Sequence, residues 1–139
     1  MSFWRTYYHL VWATQNRQPL ITAERESELY GYITGKADGL GCILHAIGGI
    51  ENHIHLVVSI PPKLSVAEFI RKIKGSSSYH INHVPSKIDL PLKWQRGYGV
   101  FTLGGKQLDT AKGYVNRHKE HHAEGTTIAS LERDRDEED

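Results

Sequence analysis

Two histidines separated by one apolar residue head the run His53-Ile54-His55-Leu56-Val57-Val58-Ser59-Ile60. A run this rich in aliphatic and β-branched residues predicts a strand. Side chains two apart on a strand share a face, so His53 and His55 stand side by side, about 7 Å apart. Ile54, Leu56, Val58 and Ile60 fill the other face, which reads as core. Two imidazoles on one open face can converge on a single divalent metal ion. The same triplet also reads as a pair of surface histidines on a half-buried strand. A second cluster supplies context: Ala111-Lys112-Gly113-Tyr114-Val115-Asn116-Arg117-His118-Lys119-Glu120-His121-His122. Leu108, Ala111 and Val115 recur at helical spacing, which predicts a helix from about 107 to 122. Tyr114 and His118 are four apart and share a face of it. That face can carry a nucleophile and a third metal ligand together, or, in the plainer reading, a packing tyrosine. His121 and His122 need no function, because cationic groups at a helix C-terminus are favoured by the macrodipole.

The elements that must position these groups are legible from turn residues and periodicity. Tyr7 to Thr14 reads as a first strand, broken by Asn16 to Pro19. Thr22 is an N-cap, with Glu24 and Glu26 in the first turn. Leu29, Ile33, Ala37 and Leu40 form a helical stripe that Gly39 and Gly41 end. Ile43 to Gly49 is a second strand, and the turn Glu51-Asn52 makes a hairpin with the histidine strand. Pro61-Pro62 stops that strand. Ser65-Val66-Ala67-Glu68 fits a capping box, and Val66, Phe69, Ile70, Ile73 and Ser77 mark one face of a helix reaching about residue 82. Residues 83–92 form a loop with Pro85 and Pro91. Trp94 to Leu103 reads as a fourth strand interrupted by Gly97 and Gly99. Gly104-Gly105-Lys106 lacks the full pattern of a phosphate loop and reads as the turn before the last helix.

The order β-α-β-β-α-β-α begins with the ferredoxin-like split β-α-β pattern. The expected class is α+β: a four-stranded antiparallel sheet, two helices on one face, and the other face left for the histidines and the C-terminal helix. One domain is expected over 1–131, followed by an acidic, disordered tail over 132–139.

Composition bounds the function. The chain has 139 residues and 39% hydrophobic content, enough for one core. Six of the 16 acidic residues and two of the 17 basic ones fall in 132–139, which leaves 15 basic against 10 acidic residues in 1–131. That moderately basic body suits a phosphate-binding surface. Arg71, Lys72 and Lys74 on the second helix and Lys93 and Arg96 around Trp94 are the candidate phosphate contacts. A solvated charged face accounts for them equally well. Tyr79 and Tyr98 are candidates for stacking on unpaired bases, while His9, His45, His80 and His83 read as structural or exposed. Cys42 is the only cysteine, so an intramolecular disulfide and a cysteine-based zinc site are excluded. No apolar run approaches the ~18 residues of a membrane span, and no apolar block follows Met1-Ser2-Phe3-Trp4-Arg5. A cytoplasmic location is expected.

With these motifs assembled, the chain resembles the small HUH single-strand DNA tyrosine transposases of insertion sequences. His53-Ile54-His55 matches the motif that gives the class its name. Tyr8-His9-Leu10-Val11-Trp12-Ala13-Thr14 resembles the family's opening strand, and Lys74-Gly75-Ser76-Ser77-Ser78 the end of its second helix. Trp94 to Phe101 resembles its fourth strand, and Tyr114-Val115-Asn116 with Lys119-Glu120-His121-His122 its catalytic helix. The resemblance covers residues 3–122. Two positions depart from it. His118 stands where the family usually has glutamine, and Asn52 where it often has aspartate.

The resemblance implies that His53, His55 and His118 hold one divalent ion, Mg²⁺ or Mn²⁺, with His118 shifting preference toward borderline metals. It implies that Tyr114 attacks a scissile phosphate, giving a 5′-phosphotyrosine link and a 3′-hydroxyl. It implies single-stranded DNA with hairpin ends as substrate. It further implies a homodimer in which the tyrosine helix of one subunit completes the histidine site of the other. Two other readings stay open: a replication-initiator or relaxase-type nickase, and a domesticated or decayed copy that binds hairpin DNA without cutting it.

Overall fold

The N-terminal aromatic run forms strand β1, Tyr8–Ala13, and the histidine run forms β3, His53–Ser59. The molecule, a computed structural model, is described over residues 2–85 and 90–134. Strand β2, Ile43–Ile50, reaches β3 through the turn at Glu51 and Asn52, and β4 spans Gly99–Thr102. All pairings are antiparallel, in the order β2-β3-β1-β4. This is the expected α+β split β-α-β arrangement.

Helix α1, Ala23–Gly39, starts where the Thr22 side chain accepts the Arg25 amide. Helix α2, Val66–His83, starts where Ser65 accepts the Glu68 amide. Each cap satisfies a donor that the first helical turn leaves without a partner. Both helices cover one sheet face. There Leu10, Trp12, Ile54, Leu56 and Val58 pack with Leu29, Ile33, Phe69 and Ile73 in one fully buried cluster. Burial of side chains of this size contributes about 1.5–3 kcal/mol each.

The opposite face carries a smaller cluster of Ala46, Val57, Ala111, Tyr114 and Val115, flanked by Leu103, Leu108 and Leu131. Helix α3, Leu108–Asn116, lies across β2 and β3. It approaches closely because β2 offers a glycine there. A Cβ at Gly48 would fall 2.2 Å from the Val115 carbonyl oxygen. The α3 backbone therefore rests directly on the sheet backbone.

Three boundaries differ from the sequence reading. The expected helix over 107–122 divides into a 3-10 turn, Gly105–Gln107, then α3 and α4, His118–Glu124. Arg117, at φ −110° and ψ 27°, ends α3, and the chain restarts with His118 buried against the sheet. The fourth strand is shorter than Trp94–Leu103. Trp94 forms only an isolated bridge to Thr14, and Gly97, at φ +88°, turns the chain out of the extended region before β4 begins. The expected domain boundary at 131/132 falls inside α5, Ala129–Glu132, and Asp134 is buried. Residues 86–89 of the expected loop and 135–139 of the expected tail lie outside the described residues. Among the described residues no helix is long and apolar enough to cross a membrane.

Candidate metal and nucleophile centre

Strand alternation turns His53 and His55 to the face covered by α3, α4 and α5. Asn52, the last residue of the hairpin turn, fixes the first of them. Its Oδ1 lies 2.7 Å from His53 Nδ1. An amide oxygen only accepts, so His53 Nδ1 donates to it, and Nε2 faces inward toward His118 and Glu132. His55 is held by a residue of the neighbouring strand: its Nδ1 lies 2.7 Å from His9 Nε2. His9 is opposite Val57 in the antiparallel register, so it shares the face of His53 and His55.

The C-terminal helices close the centre from above. His118 Nε2 lies 2.8 Å from His53 Nε2 and 2.9 Å from His122 Nε2. Glu132 enters between them. Its Oε1 lies 3.2 Å from His53 Nε2, 3.2 Å from His118 Nε2 and 2.9 Å from His122 Nε2. Its Oε2 lies 2.7 Å from His55 Nε2. The three expected ligands are buried, with His53 at 4%, His55 at 0% and His118 at 1% exposure, whereas His122 and Glu132 are half-buried.

Burial sets the protonation states. It lowers His55 to about 3 and His9 to about 4, against a weaker pull from Glu132 in the other direction. Both are therefore neutral near pH 7, the state a metal ligand needs. For Glu132, burial opposes charge, but hydrogen bonds from His118, His53 and His55 outweigh it and hold the carboxyl well below the usual range.

The donor set suits a divalent cation. His53, His118, His122 and Glu132 each offer one ligand atom, and these atoms lie within 4.8 Å of one another. Facing Nε2 atoms at this separation bring lone pairs together, which only shared protons or a cation relieve. Three imidazoles with one carboxylate could hold a borderline metal such as Zn²⁺, Co²⁺ or Mn²⁺. His55 touches the same carboxylate, and its ring centroid is 4.1 Å from that of His118. Of the three histidines expected from the sequence, His53 and His118 fall in this group with His122 and Glu132, and His55 lies beside it.

Tyr114 lies beside them, 3% exposed. Its ring centroid is 5.5 Å from that of His118 and 6.1 Å from that of His55, and its ring stacks on His121 at 4.8 Å. The Ile128 amide donates to its hydroxyl at 3.0 Å. Burial, with Glu132 adding to it and the Ile128 amide opposing, pushes the phenol up to about 12.

Sequence reasoning missed three residues of this centre. His122 carried a usable signal, because it follows His118 by one helical turn. His9 carried a weaker one, since its face depends on the register of β1 against β3. Glu132 carried none. It returns to the site only because the chain reverses after α4, with Gly125 at φ +69°.

The expected phosphate contacts are dispersed. Arg71 is engaged with Glu68 through Nε at 3.0 Å and NH2 at 2.6 Å, and Lys72 lies 3.9 Å from the same carboxylate. Lys74 donates to the carbonyls of Gln95 and Gly97 at 2.7 and 3.0 Å, so it fastens α2 to the approach of β4. Lys93 and Arg96 are exposed. Arg96 lines a cleft of about 560 Å³ with Gln15, Asn16, Arg17, Trp94 and Gln95. Tyr79 is 66% exposed but stacks on His83, and Tyr98 is 36% exposed.

Fold and cluster together define an α+β protein with a histidine–carboxylate centre, able to hold a metal, beside a buried tyrosine. The family model described as "Transposase IS200 like" matches residues 2–118, and the chain belongs to that family, whose enzymes cleave and transfer DNA strands. It is 25% identical over 130 residues to the transposase of insertion sequence element IS200 from Salmonella typhimurium, spanning 91% of this chain and 85% of that one. It is 25% identical over 71 residues, 51% of each chain, to the ISDra2 transposase TnpA of Deinococcus radiodurans. A crystal structure from Deinococcus radiodurans R1, assigned as a transposase, superposes with a TM-score of 0.68 at 20% identity, covering 92% of this chain and 96% of that one. A REP-associated tyrosine transposase bound to a REP hairpin superposes at 0.65 and 15% identity, covering 91% and 76%. At these identities the two structures bear on the fold alone.

Proposed function

We propose that this chain is a metal-dependent single-strand DNA transposase that cleaves and rejoins insertion-sequence ends through a 5′-phosphotyrosine intermediate and recognises hairpin DNA. One observation carries the reading: a buried helical tyrosine packs against a converging cluster of histidines within a single chain. The hairpin bound to a relative of the same fold is the reason for the choice of substrate.

In this reading His53, His55 and His118 would hold a divalent cation, Mg²⁺ or Mn²⁺, which would supply Lewis-acid stabilisation of the charge developing on the scissile phosphate. Asn52 and His9 orient two of those imidazoles. Tyr114 is the catalytic residue. Its oxygen gives up its proton and bonds to phosphorus, the bond from phosphorus to the 3′-oxygen breaks, and that oxygen takes up a proton to leave as a 3′-hydroxyl. The covalent link conserves the bond, so rejoining is the reverse attack by a 3′-hydroxyl and needs no nucleotide cofactor. A phenol pushed up to about 12 is a poor nucleophile, so its surroundings must change before attack. Arg71, Lys72, Lys93 and Arg96 are proposed to contact phosphates, and Lys74 to shape their surface. A homodimer is proposed from the resemblance. The proximity of Tyr114 to its own histidines favours a site complete within each subunit over one shared between them.

The test is a covalent-adduct assay. The protein is mixed with a single-stranded oligonucleotide carrying its element's end, with Mg²⁺ or Mn²⁺, and run on a denaturing gel. The expected result is a metal-dependent protein–DNA band that falls by about 10³-fold or more in Tyr114→Phe. A band that persists in the mutant moves the nucleophile elsewhere. Hairpin binding without any adduct would identify a non-cutting binder. Mixing His53→Ala with Tyr114→Phe protein restores the band only if the site is shared between subunits.

A further inference from the structure

The nucleophile and the metal-ligating histidines of an enzyme acting on a polymer must be reachable, yet here they are buried. Residues 128–134 cover them, and three polar contacts of that segment fall on or beside the working parts. The Ile128 amide donates to the Tyr114 hydroxyl at 3.0 Å. Glu132 lies within 3.2 Å of four imidazoles. Asp134, 7% exposed, pairs with Arg17 NH2 at 2.9 Å, at the edge of the cleft lined by Arg96. The sheet leaves room for the crossing: a Cβ at Gly99 would lie 1.9 Å from the Arg133 carbonyl oxygen.

We propose that Glu132 is a ligand of the site's divalent metal in the resting protein, carried on a C-terminal strap over 128–134, and that an incoming DNA phosphodiester displaces it. The proposal rests on the metal-dependent reading above. Its chemistry is ligand exchange. A carboxylate and a phosphodiester are both hard anionic oxygen donors that compete for one position on a cation. Displacement of Glu132 would also unload the strap, expose Tyr114 and free Arg17 to meet a phosphate. One carboxylate therefore excludes the wrong anions and keeps the nucleophile covered until a strand arrives. Lid segments of this kind are drawn from the least stable parts of a fold, and α5 is a single four-residue turn.

The experiment uses the full chain without DNA. Mn²⁺ affinity is measured by the electron paramagnetic resonance signal of the free ion, for wild type, Glu132→Gln and His53→Ala. Backbone hydrogen exchange over 128–134 is followed in parallel. Wild type is expected to bind Mn²⁺ and to slow exchange in the strap when it does. Glu132→Gln is expected to lose about tenfold in affinity and to exchange rapidly with or without metal. Adding an oligothymidylate to metal-loaded wild type is expected to speed strap exchange again. Glu132→Gln affinity within twofold of wild type, with His53→Ala still impaired, overturns the strap ligand and leaves the proposed function standing. Wild type that binds no Mn²⁺ overturns both. Should Glu132→Gln fail to fold, Asp134→Asn loosens the strap without touching a ligand. Faster strap exchange and weaker Mn²⁺ binding then support the proposal, and no change in either overturns it.

Discussion

Helices α1 and α2 cover one face of the sheet with 17 and 18 continuous residues, whereas α3, α4 and α5, which cover the other, have nine, seven and four. Both faces are buried; β3 has no exposed residue. The first face is an apolar layer whose side chains interlock and whose helices carry side-chain caps. The second joins a smaller apolar cluster to a polar set of imidazoles, a phenol and a carboxylate, under segments too short to persist alone. The cover of the first face is held by apolar area, and that of the second by a smaller apolar cluster together with a few directional bonds. Only the second kind of cover can be traded for a ligand, because a ligand's own polar atoms can take over the bonds that the cover gives up.

The sharpest way to break this comparison is to damage each face and ask whether the loss appears in folding or in chemistry. Phe69→Ala removes a fully buried aromatic from the apolar layer. It is expected to cost about 3–5 kcal/mol of stability in urea unfolding, with adduct yield per folded molecule unchanged. A matching loss of chemistry at full stability would mean the two layers are coupled. His9→Leu removes the partner of His55 from the polar layer. It is expected to weaken Mn²⁺ binding by about 10–100-fold, at a stability cost of about 1–3 kcal/mol for the imidazole left unpaired. Unchanged metal affinity would reduce His9 to packing. The mildest test concerns Cys42, which belongs to the apolar side. Burial pushes its thiol up to about 11, so it is expected to react with a disulfide reagent at pH 8 only after unfolding. Rapid labelling of the native chain would show that the α1 side opens as well.

The same contrast explains what could be read in advance. On the apolar side the signals are local. Thr22 and Ser65 mark helix starts, and the Leu29-Ile33-Ala37 and Phe69-Ile73-Ser77 spacings fix the faces, so α1 and α2 begin and end within a residue or two of expectation. In the site, the strand period placed His53 and His55, and the helical period placed Tyr114 near His118. The rest depends on tertiary return. Continuous helical spacing gave no warning of the break at Arg117, and Gly97 and Gly99 marked an interruption without showing that β4 begins only at Gly99. A run of acidic residues reads as a solvated tail until folding brings its first member, Glu132, against four imidazoles.

Gly48 has a consequence for how mutational data on this chain will look. It carries no side-chain ligand, donor or charge, yet any side chain there must move the Val115 carbonyl and with it the helix that bears Tyr114. A saturation screen that scores DNA cleavage alone would rank Gly48 among the catalytic positions, although it is 66 residues from the tyrosine in sequence. Sequencing the folded but inactive fraction would separate the two kinds of intolerance: replacements at Tyr114 should be abundant in that fraction, and replacements at Gly48 scarce.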